Sequence, residues 1–586
     1  MSHKNAEIPD FTSIIMLMLQ GLGVTLANIT SGAHTSMKNW LIFVLKVCFI
    51  TSILMLVGCG PSVDKNLHTP GIVYCSEGDP TSFNPQLTTN GTTTDASSYQ
   101  IYNRLVEYDP ALGSIVPALA RHWFINEDGT SYTFYLRKNV KFHSNKDFTP
   151  TRDFNADDVL FSFNRVIDAA HPYHQVSGGS YPFFQSVGFT DIINKIVKVN
   201  DYMIVIHLTE KDASFMANLA ANFAVIQSKE YADQLAAQNK QAQIDSKPIG
   251  TGPFVLDSYF QNDHIRYKPN LNYWNGAPAI EQLVFDITPK STNRIAKLMT
   301  GDCDVSALPQ SSEIDIIRQN KKLELQIQTG FNVSYLGFNT ERVPFNEPKV
   351  RQALAHAINK RAIVEAVYYG SATIADSVLP SLSWAYNDAL PPYEYNIDKA
   401  KALLAEAGYA DGFEMTLWAA PVQRIYNPNA IKTAELIQGQ LKKIGVEVKI
   451  VTYGWNVFIE KLNDYSYDSL LLGWTADNAD PDNFFRPLFS CAALLSGGNR
   501  VNWCNDNFDE TINQAIAFTD EKKRVPFYLA AQQSLNEQVP LIPIAHALRF
   551  QVKSRNISGM SLNPYGGISF AKAKRKAAVN QAGGAQ

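Results

Sequence analysis

A chain of 586 residues, 45% hydrophobic and 11% aromatic, is long enough for two or three domains, each with its own core. Its formal net charge is only -4, from 51 basic and 55 acidic side chains. That balance offers no basic field for a phosphate backbone, so nucleic-acid binding is set aside. The 32 Phe and 26 Tyr suit a large core, with aromatic walls for a ligand as a second use.

The chain opens with apolar stretches. The run from Trp40 to Val57 follows Lys38, contains Lys46 and closes as Leu56-Val57-Gly58-Cys59. A basic start, an apolar core and a small residue before a cysteine resemble a bacterial lipoprotein export signal. The resemblance implies cleavage before Cys59, acyl chains on its thiol and a lipid-anchored periplasmic protein. The run also approaches the length of a membrane-spanning helix, and that reading stays open. Residues 1–36 carry acidic Glu7 and Asp10 ahead of a second, interrupted apolar stretch. They are expected to be an over-long extension, with 37–58 as the signal and 59–74 as a tether.

Further on, short strand-like runs alternate with helical ones. Tyr132-Thr-Phe-Tyr-Leu136 reads as a strand after the turn Asn126-Glu-Asp-Gly129, followed by Val140-Lys-Phe-His143 and a second turn. Asn155-Ala-Asp-Asp158 opens a helix, with Asn155 as cap and Asp157 and Asp158 in the first turn, where the helix dipole favours negative charge. Val159, Phe161 and Phe163 blur its periodicity. Pro248-Ile-Gly-Thr-Gly-Pro253 joins two regions and feeds a strand at Phe254-Val255; no Lys-Ser or Lys-Thr follows, which argues against a nucleotide loop. Strands are expected at Leu283-Val-Phe-Asp-Ile287, Val333 to Asn339 and Val446 to Val451. Helices are expected from Pro348 to Ile358, Ala400 to Ala407 and Ile431 to Ile444. This alternation is that of an α/β fold. Residues 571–586, rich in Ala, Lys, Gln and Gly, are expected to be a disordered tail.

Cys48 falls in the signal and Cys59 is the lipid acceptor, leaving Cys75, Cys303, Cys491 and Cys504 for an oxidising compartment. Four cysteines allow three pairings. Cys491 and Cys504 make the simplest short bridge, and closing that loop restricts the unfolded chain by about 2–3 kcal/mol. Zinc is the competing use, but no ligand spacing supports it. No Gly-x-Ser-x-Gly elbow or His-Glu-x-x-His is present, and His122 and His143 sit in strand and loop contexts that read as surface or packing. There is accordingly no residue pattern from which to argue an enzyme.

Several segments resemble the extracytoplasmic solute-binding proteins of peptide-importing ABC transporters (family 5). They are Val116-Pro-Ala-Leu-Ala, Asp128-Gly-Thr-Ser-Tyr-Thr-Phe-Tyr-Leu-Arg137, Val140-Lys-Phe-His143, Asn155-Ala-Asp-Asp-Val-Leu-Phe-Ser-Phe163, Pro248-Ile-Gly-Thr-Gly-Pro-Phe254 and Lys349-Val-Arg-Gln-Ala-Leu354. The likeness spans residues 75–570. Tyr74-Cys-Ser-Glu-Gly78, Tyr173-His-Gln-Val-Ser-Gly-Gly-Ser180, Pro421-Val-Gln-Arg-Ile-Tyr-Asn-Pro428 and the stretch from Gly473 to Phe485 point to its dipeptide-binding and haem-binding-lipoprotein branch.

That resemblance implies a two-lobed periplasmic-binding-protein fold with an inserted subdomain and the ligand enclosed between lobes. Lobe I would be 75–330 plus 552–570, with the insert near 102–250, and lobe II would be 331–551. It implies bridges Cys75–Cys303 and Cys491–Cys504. The ligands assigned in the branch are dipeptides, glutathione and haem; a short peptide is expected here, with glutathione second and haem third, as cargo rather than cofactor. The partner would be the membrane permease of an ABC importer, and the chain itself a monomer without catalytic or metal residues.

In the branch, an aspartate takes the ligand's ammonium and an arginine its carboxylate, which fall here on Asp477 and Arg424. Enclosed charges need opposite charges, and an arginine fork matches a carboxylate in a way lysine does not. Without the resemblance, Arg424 reads as part of an ion pair, and Asp477 as a turn or calcium-like cluster lacking the twelve-residue loop. Trp474, Tyr426 and Trp455 would be aromatic walls. Backbone at Thr89, Asn90 and Gly91 would hold the peptide unit, while Asp480 and Asp482 cap or brace Phe484-Phe485. Ile425, Ala476 and Ala479 stand where the branch more usually has a proline and glycines. Neither His264 nor His356 can be tied to a haem site.

Overall fold

The computed structural model describes residues 71–576, apart from Pro421, Gly497 and the side chains of Trp455, Asn456 and Ser496. Cys59, the expected signal, the tether up to residue 70 and residues 577–586 lie outside the described residues. Among the described residues, no helix is long and apolar enough to cross a membrane.

From β1 (Ile72–Ser76) the chain leaves on a long excursion with its own core, running from Leu105 to Ile249. The excursion holds the pair β2 (Val106–Asp109) and β3 (Ser114–Pro117). It also holds an antiparallel sheet of β4 (Ala120–Ile125), β5 (Ser131–Leu136), β6 (Ile193–Asn200) and β7 (Met203–Leu208), ordered β4-β5-β7-β6. In β5 and β7 every second residue is buried, the period-2 signature of a sheet with one face on a core. Helix Ala156–Ile167 starts with a reciprocal capping box between Asn155 and Asp158. Val159, Phe161, Phe163 and Val166 are all buried, so the helix is covered on more than one face and its sequence cannot show a single clean stripe. The glycine-rich link at 250–252 is a structural seam, where His143 donates its backbone N–H to Gly250 O (2.8 Å) and its Nε2 meets Gly252 O (2.9 Å). Burial pushes His143 down to about 4, so the ring is neutral near pH 7.

Returning, the chain forms β8 (Phe254–Phe260), β9 (His264–Pro269) and β10 (Leu283–Ile287), the last parallel to β1, which also pairs in parallel with β11 (Val305–Ser306). Cys75 in β1 is disulfide-bonded to Cys303 just ahead of β11, with Cα atoms 5.9 Å apart. After β12 (Leu323–Thr329), Gly330 and Phe331 cross into β13 (Asn332–Phe338), the centre of the second half. All seven residues of β13 are buried: Val333 and Tyr335 join the core on one side, Leu336 and Phe338 that on the other. A strand covered on both faces reads as a continuous apolar run. The second half adds β14 (Ala372–Ile374), β15 (Phe413–Trp418), β16 (Val446–Val451) and β17 (Ser469–Thr475). Cys491 and Cys504, also bonded, have Cα atoms 4.7 Å apart.

The strand β18 (Leu541–Ser554) unites the halves. Its residues 541–545 pair with β13 and 545–547 with β14, while 548–554 pair with β12. The change of partner falls at Ala547–Leu548, inside an unbroken strand and ahead of the boundary expected at 551. Asn332 clamps the two crossings: its Nδ2 donates to Ala547 O and its Oδ1 accepts from Ala547 N, both at 2.9 Å. Gly330 is required there, since a Cβ would lie 2.7 Å from Ala547 O.

One expectation needs correcting. The tail expected from residue 571 is ordered at its start, where Lys574–Arg575 pair with Ile557–Ser558 as a short strand. Backbone pairing and an Arg575–Asp304 ion pair at 2.5 Å hold these two charged residues, which carry no hydrophobic signal.

Candidate ligand-binding site

Asp477 lies just beyond the end of β17, where Ala476 N donates to Phe331 O at the first crossing (2.7 Å). Its loop is braced at many points. Asp477 N donates to Asn483 Oδ1 (2.8 Å), Asp480 N to Asn478 Oδ1 (2.9 Å) and Asp482 N to Asp480 Oδ1 (3.0 Å). Asp480 is paired with Arg524 (2.7 Å), and Asp482 with Arg486 (2.9 Å) in the first turn of helix Asp482–Phe489, which fits the bracing role expected for both. Asp477 differs from them: no lysine, arginine or histidine among the described residues pairs with its carboxylate. Burial pushes it up to about 7, with the Asn483 side chain pulling back in part.

Arg424 sits in a tight turn, with Arg424 N on Asn427 O (3.0 Å) and Asn427 N on Arg424 O (3.2 Å). Burial lowers its guanidinium from the ordinary value, while Tyr426 and Glu77 act in the opposite direction. Tyr426 O accepts from Tyr368 OH (2.8 Å), and its ring lies directly over Gly473 in β17. The two expected determinants are thus joined through one contact: the Arg424 turn rests by Tyr426 on the strand that leads through Trp474 to Asp477. Trp474, half-buried, donates its Nε1 to Asn483 Oδ1 (3.3 Å).

Gly473 was not singled out in the sequence, and only its missing side chain matters. A Cβ there would collide with the Tyr426 ring and with Val333 O, and the strand backbone cannot yield. Gly473→Ala is expected to cost about 1–3 kcal/mol of stability and to weaken ligand binding by displacing Tyr426. Chemical denaturation and calorimetry check the two effects, and unchanged affinity would separate Tyr426 from the site.

The turn at Thr89 and Asn90 leads into the short helix Gly91–Thr93. Asn90 Oδ1 caps the following helical turn, accepting from Thr92 N (3.1 Å) and Thr92 Oγ1 (2.9 Å), while Thr89 and Gly91 are exposed. The described contacts do not bring these residues to Asp477 or Arg424. A solvent-open pocket at the junction of the halves is lined by Arg424, Gln423 and Tyr368 on one side, Leu308 and Ser311 on the other, and 547–550 of β18 between them. Asp477 is not part of that lining. Across the cleft, Asn478 Nδ2 donates to Asn218 Oδ1 (2.9 Å) and Ala213 N to Ile516 O (2.9 Å), linking the excursion to the second half. Glu77, Asn483 and the Asn218–Asn478 pair carry no chemical motif that sequence reasoning can find.

Residues 114–495 match the model of the bacterial extracellular solute-binding proteins, family 5 (middle region), which is most of the chain. The chain belongs to this family. Among family 5 relatives, the dipeptide-binding protein of Escherichia coli (strain K12) is 46% identical over 509 residues, covering 87% of this chain and 95% of that protein. Heme-binding protein A of Haemophilus influenzae is 43% identical over 527 residues, covering 88% and 96%. The crystal structure of the dipeptide binding protein from Pseudoalteromonas sp. SM9913 in complex with Met-Leu is 49% identical, with a TM-score of 0.82. The match covers 86% of this chain and 100% of that one. The two α/β halves on either side of β18 are the two lobes of the family 5 fold.

Proposed function

We propose that this protein is the substrate-binding component of a peptide ABC importer, capturing short peptides in the cleft and delivering them to a membrane permease. The observation that carries the reading is the polarity of the cleft. Asp477, half-buried and with no lysine, arginine or histidine paired to it among the described residues, stands at one end of a braced platform, and the Arg424 guanidinium at the other. A zwitterion with ammonium and carboxylate at opposite ends is complementary to these two groups, and a ligand charge enclosed without an opposite charge is prohibitive. The likeness to a dipeptide-binding protein and to a dipeptide complex supports the same ligand class. Function follows by linkage: a ligand that touches both lobes favours the arrangement in which they meet, as they do here through Asn478 and Asn218. Binding and release suffice for this role, with no turnover of the peptide. Cys59 is the acyl-bearing anchor in the periplasm, which incorporation of labelled fatty acid and its loss in Cys59→Ala would test.

The test of ligand class is calorimetry with Ala-Ala, glutathione and haemin in competition. Ala-Ala should bind, and Arg424→Met should weaken it by about 2–5 kcal/mol, much of that from stranding the ligand's carboxylate. Glutathione or haemin that Ala-Ala cannot displace would overturn the peptide reading and leave the transporter role.

A further inference from the structure

The residue that braces Asp477 also carries an unused donor. Asn483 lies in the first turn of helix Asp482–Phe489 and is 2% exposed. Its Oδ1 accepts from two groups of the cleft at once, Asp477 N (2.8 Å) and Trp474 Nε1 (3.3 Å). Two N–H donors on one atom fix which end of the amide is the oxygen, and therefore which end is the NH2 group. That nitrogen, Nδ2, is buried and has no hydrogen-bond partner among the described residues. Buried amide donors are rarely left in that state. The Asp477 carboxyl lies within its influence: the Asn483 side chain pulls on it against the effect of burial.

We propose that Asn483 is a positioning residue of the site, whose Oδ1 holds the Asp477 main chain and the Trp474 indole while its Nδ2 steers the Asp477 carboxylate onto the ligand's ammonium. This rests on the reading that Asp477 takes that ammonium. A donated N–H favours the ionised carboxylate over the protonated one, so the amide opposes the desolvation that neutralises the group. It does so without a charge of its own. A lysine or arginine in its place would compete with the ligand for the same carboxylate, whereas a neutral donor leaves the negative charge for the ammonium to balance. The charged groups nearby engage one another: Asp480 pairs with Arg524, Asp482 pairs with Arg486, and Asp212 of the excursion acts on Asp482 and Arg486. Burial and Asn483, rather than any of these charges, are the influences on Asp477.

The test titrates Asp477 itself. Its isotope-labelled carboxyl carbon, assigned by the loss of its signal in Asp477→Asn, is followed by NMR in the ligand-free protein. Asp95 and Asp482, pushed up to about 7 and about 6, titrate in the same range but give their own signals. Calorimetry measures Ala-Ala binding at about pH 6 and about pH 8. Asn483→Leu removes both polar atoms at similar volume, and Asn483→Asp keeps the acceptor while putting an oxygen in place of the donor. The Asp477 midpoint should rise from about 7 by about one unit in Asn483→Leu, and at least as far in Asn483→Asp, where a like charge is added. Ala-Ala affinity in Asn483→Leu, relative to wild type, should then fall about tenfold at about pH 6 but only about twofold at about pH 8, where half the carboxyls are already ionised. An unmoved midpoint in a folded variant would mean that Asn483 only supports the loop, and would overturn the proposal. Should Asn483→Leu not fold, Asn483→Asp decides. A raised midpoint with affinity lost equally at the two pH values would overturn Asp477 as the ammonium's partner, and the proposal with it. Failure of the wild-type protein to bind Ala-Ala would overturn the peptide reading and, again, the proposal that rests on it.

Discussion

Asp477→Asn is expected to weaken dipeptide binding by about 2–5 kcal/mol and, at about pH 8, to raise the thermal stability of the ligand-free protein. The first effect follows from removing the carboxylate proposed to take the ligand's ammonium. The second comes from the same carboxylate in the empty cleft. Its folded pKa of about 7 stands above the ordinary 3.8, so its contribution to stability is complete below about pH 4 and is lost as the pH rises through about 7. An amide at this position never has to ionise. Allowing for solvent in the open cleft, the gain above pH 7 is about 1–2 kcal/mol. A variant that loses both binding and stability would mean that Asp477 supports the loop rather than the ligand.

The same group links binding to protons. A ligand ammonium beside Asp477 draws its pKa down, so complex formation below about pH 7 expels a proton. Dipeptide affinity should fall as the pH drops below about 7, by up to about tenfold per unit, and level off above it until the ligand amine deprotonates near about pH 8. Calorimetry in two buffers of different ionisation enthalpy measures the released proton directly. Equal apparent enthalpies at about pH 6 would remove the ammonium from Asp477.

Where one local rule governs a segment, the sequence is a sufficient guide. The Asn155 cap, the strand at Leu283–Ile287 and the helix from Pro348 each rest on neighbouring residues, and each appears in the fold. Family likeness, rather than periodicity, supplied the lobes and the choice of Asp477 and Arg424 as candidates. What remained hidden has a common physical cause: it depends on chain segments far apart in sequence. The partner change inside β18 leaves no mark because its residues are almost all buried throughout. Gly473 matters only because Tyr426, in a different loop, occupies the space where a Cβ would be. Arg549 reads as one of several polar residues in a buried strand, and nothing in its neighbours shows that it lines the same pocket as Arg424. The ordered start of the tail depends on Asp304, on the far side of the chain.

Breaking the Asp480–Arg524 pair is expected to have the largest effect on stability. Arg524 donates to both Asp480 oxygens, Nη1 to Oδ2 at 2.8 Å and Nη2 to Oδ1 at 2.7 Å, with both side chains almost fully buried. It also lies over the rings of Trp384 and Tyr528, at 5.2 and 5.3 Å, inside the core of the second lobe. Asp480→Ala leaves that guanidinium buried and uncompensated, at a cost of about 3–5 kcal/mol. The same carboxylate accepts from Asp482 N, and Asp480 N is held by Asn478, whose amide reaches Asn218 across the cleft. The substitution should therefore also weaken ligand binding, without touching the ligand. The double variant Asp480→Leu with Arg524→Met separates the two roles. An apolar pair of similar volume removes the stranded charge and should recover most of the stability. It cannot restore the hydrogen bond to Asp482 N, so binding should remain weakened. Denaturant titration alongside dipeptide calorimetry reads both quantities. If the double variant recovered binding as fully as stability, the pair would serve only the core, and the Asp477 loop would owe its geometry to Asn483 instead.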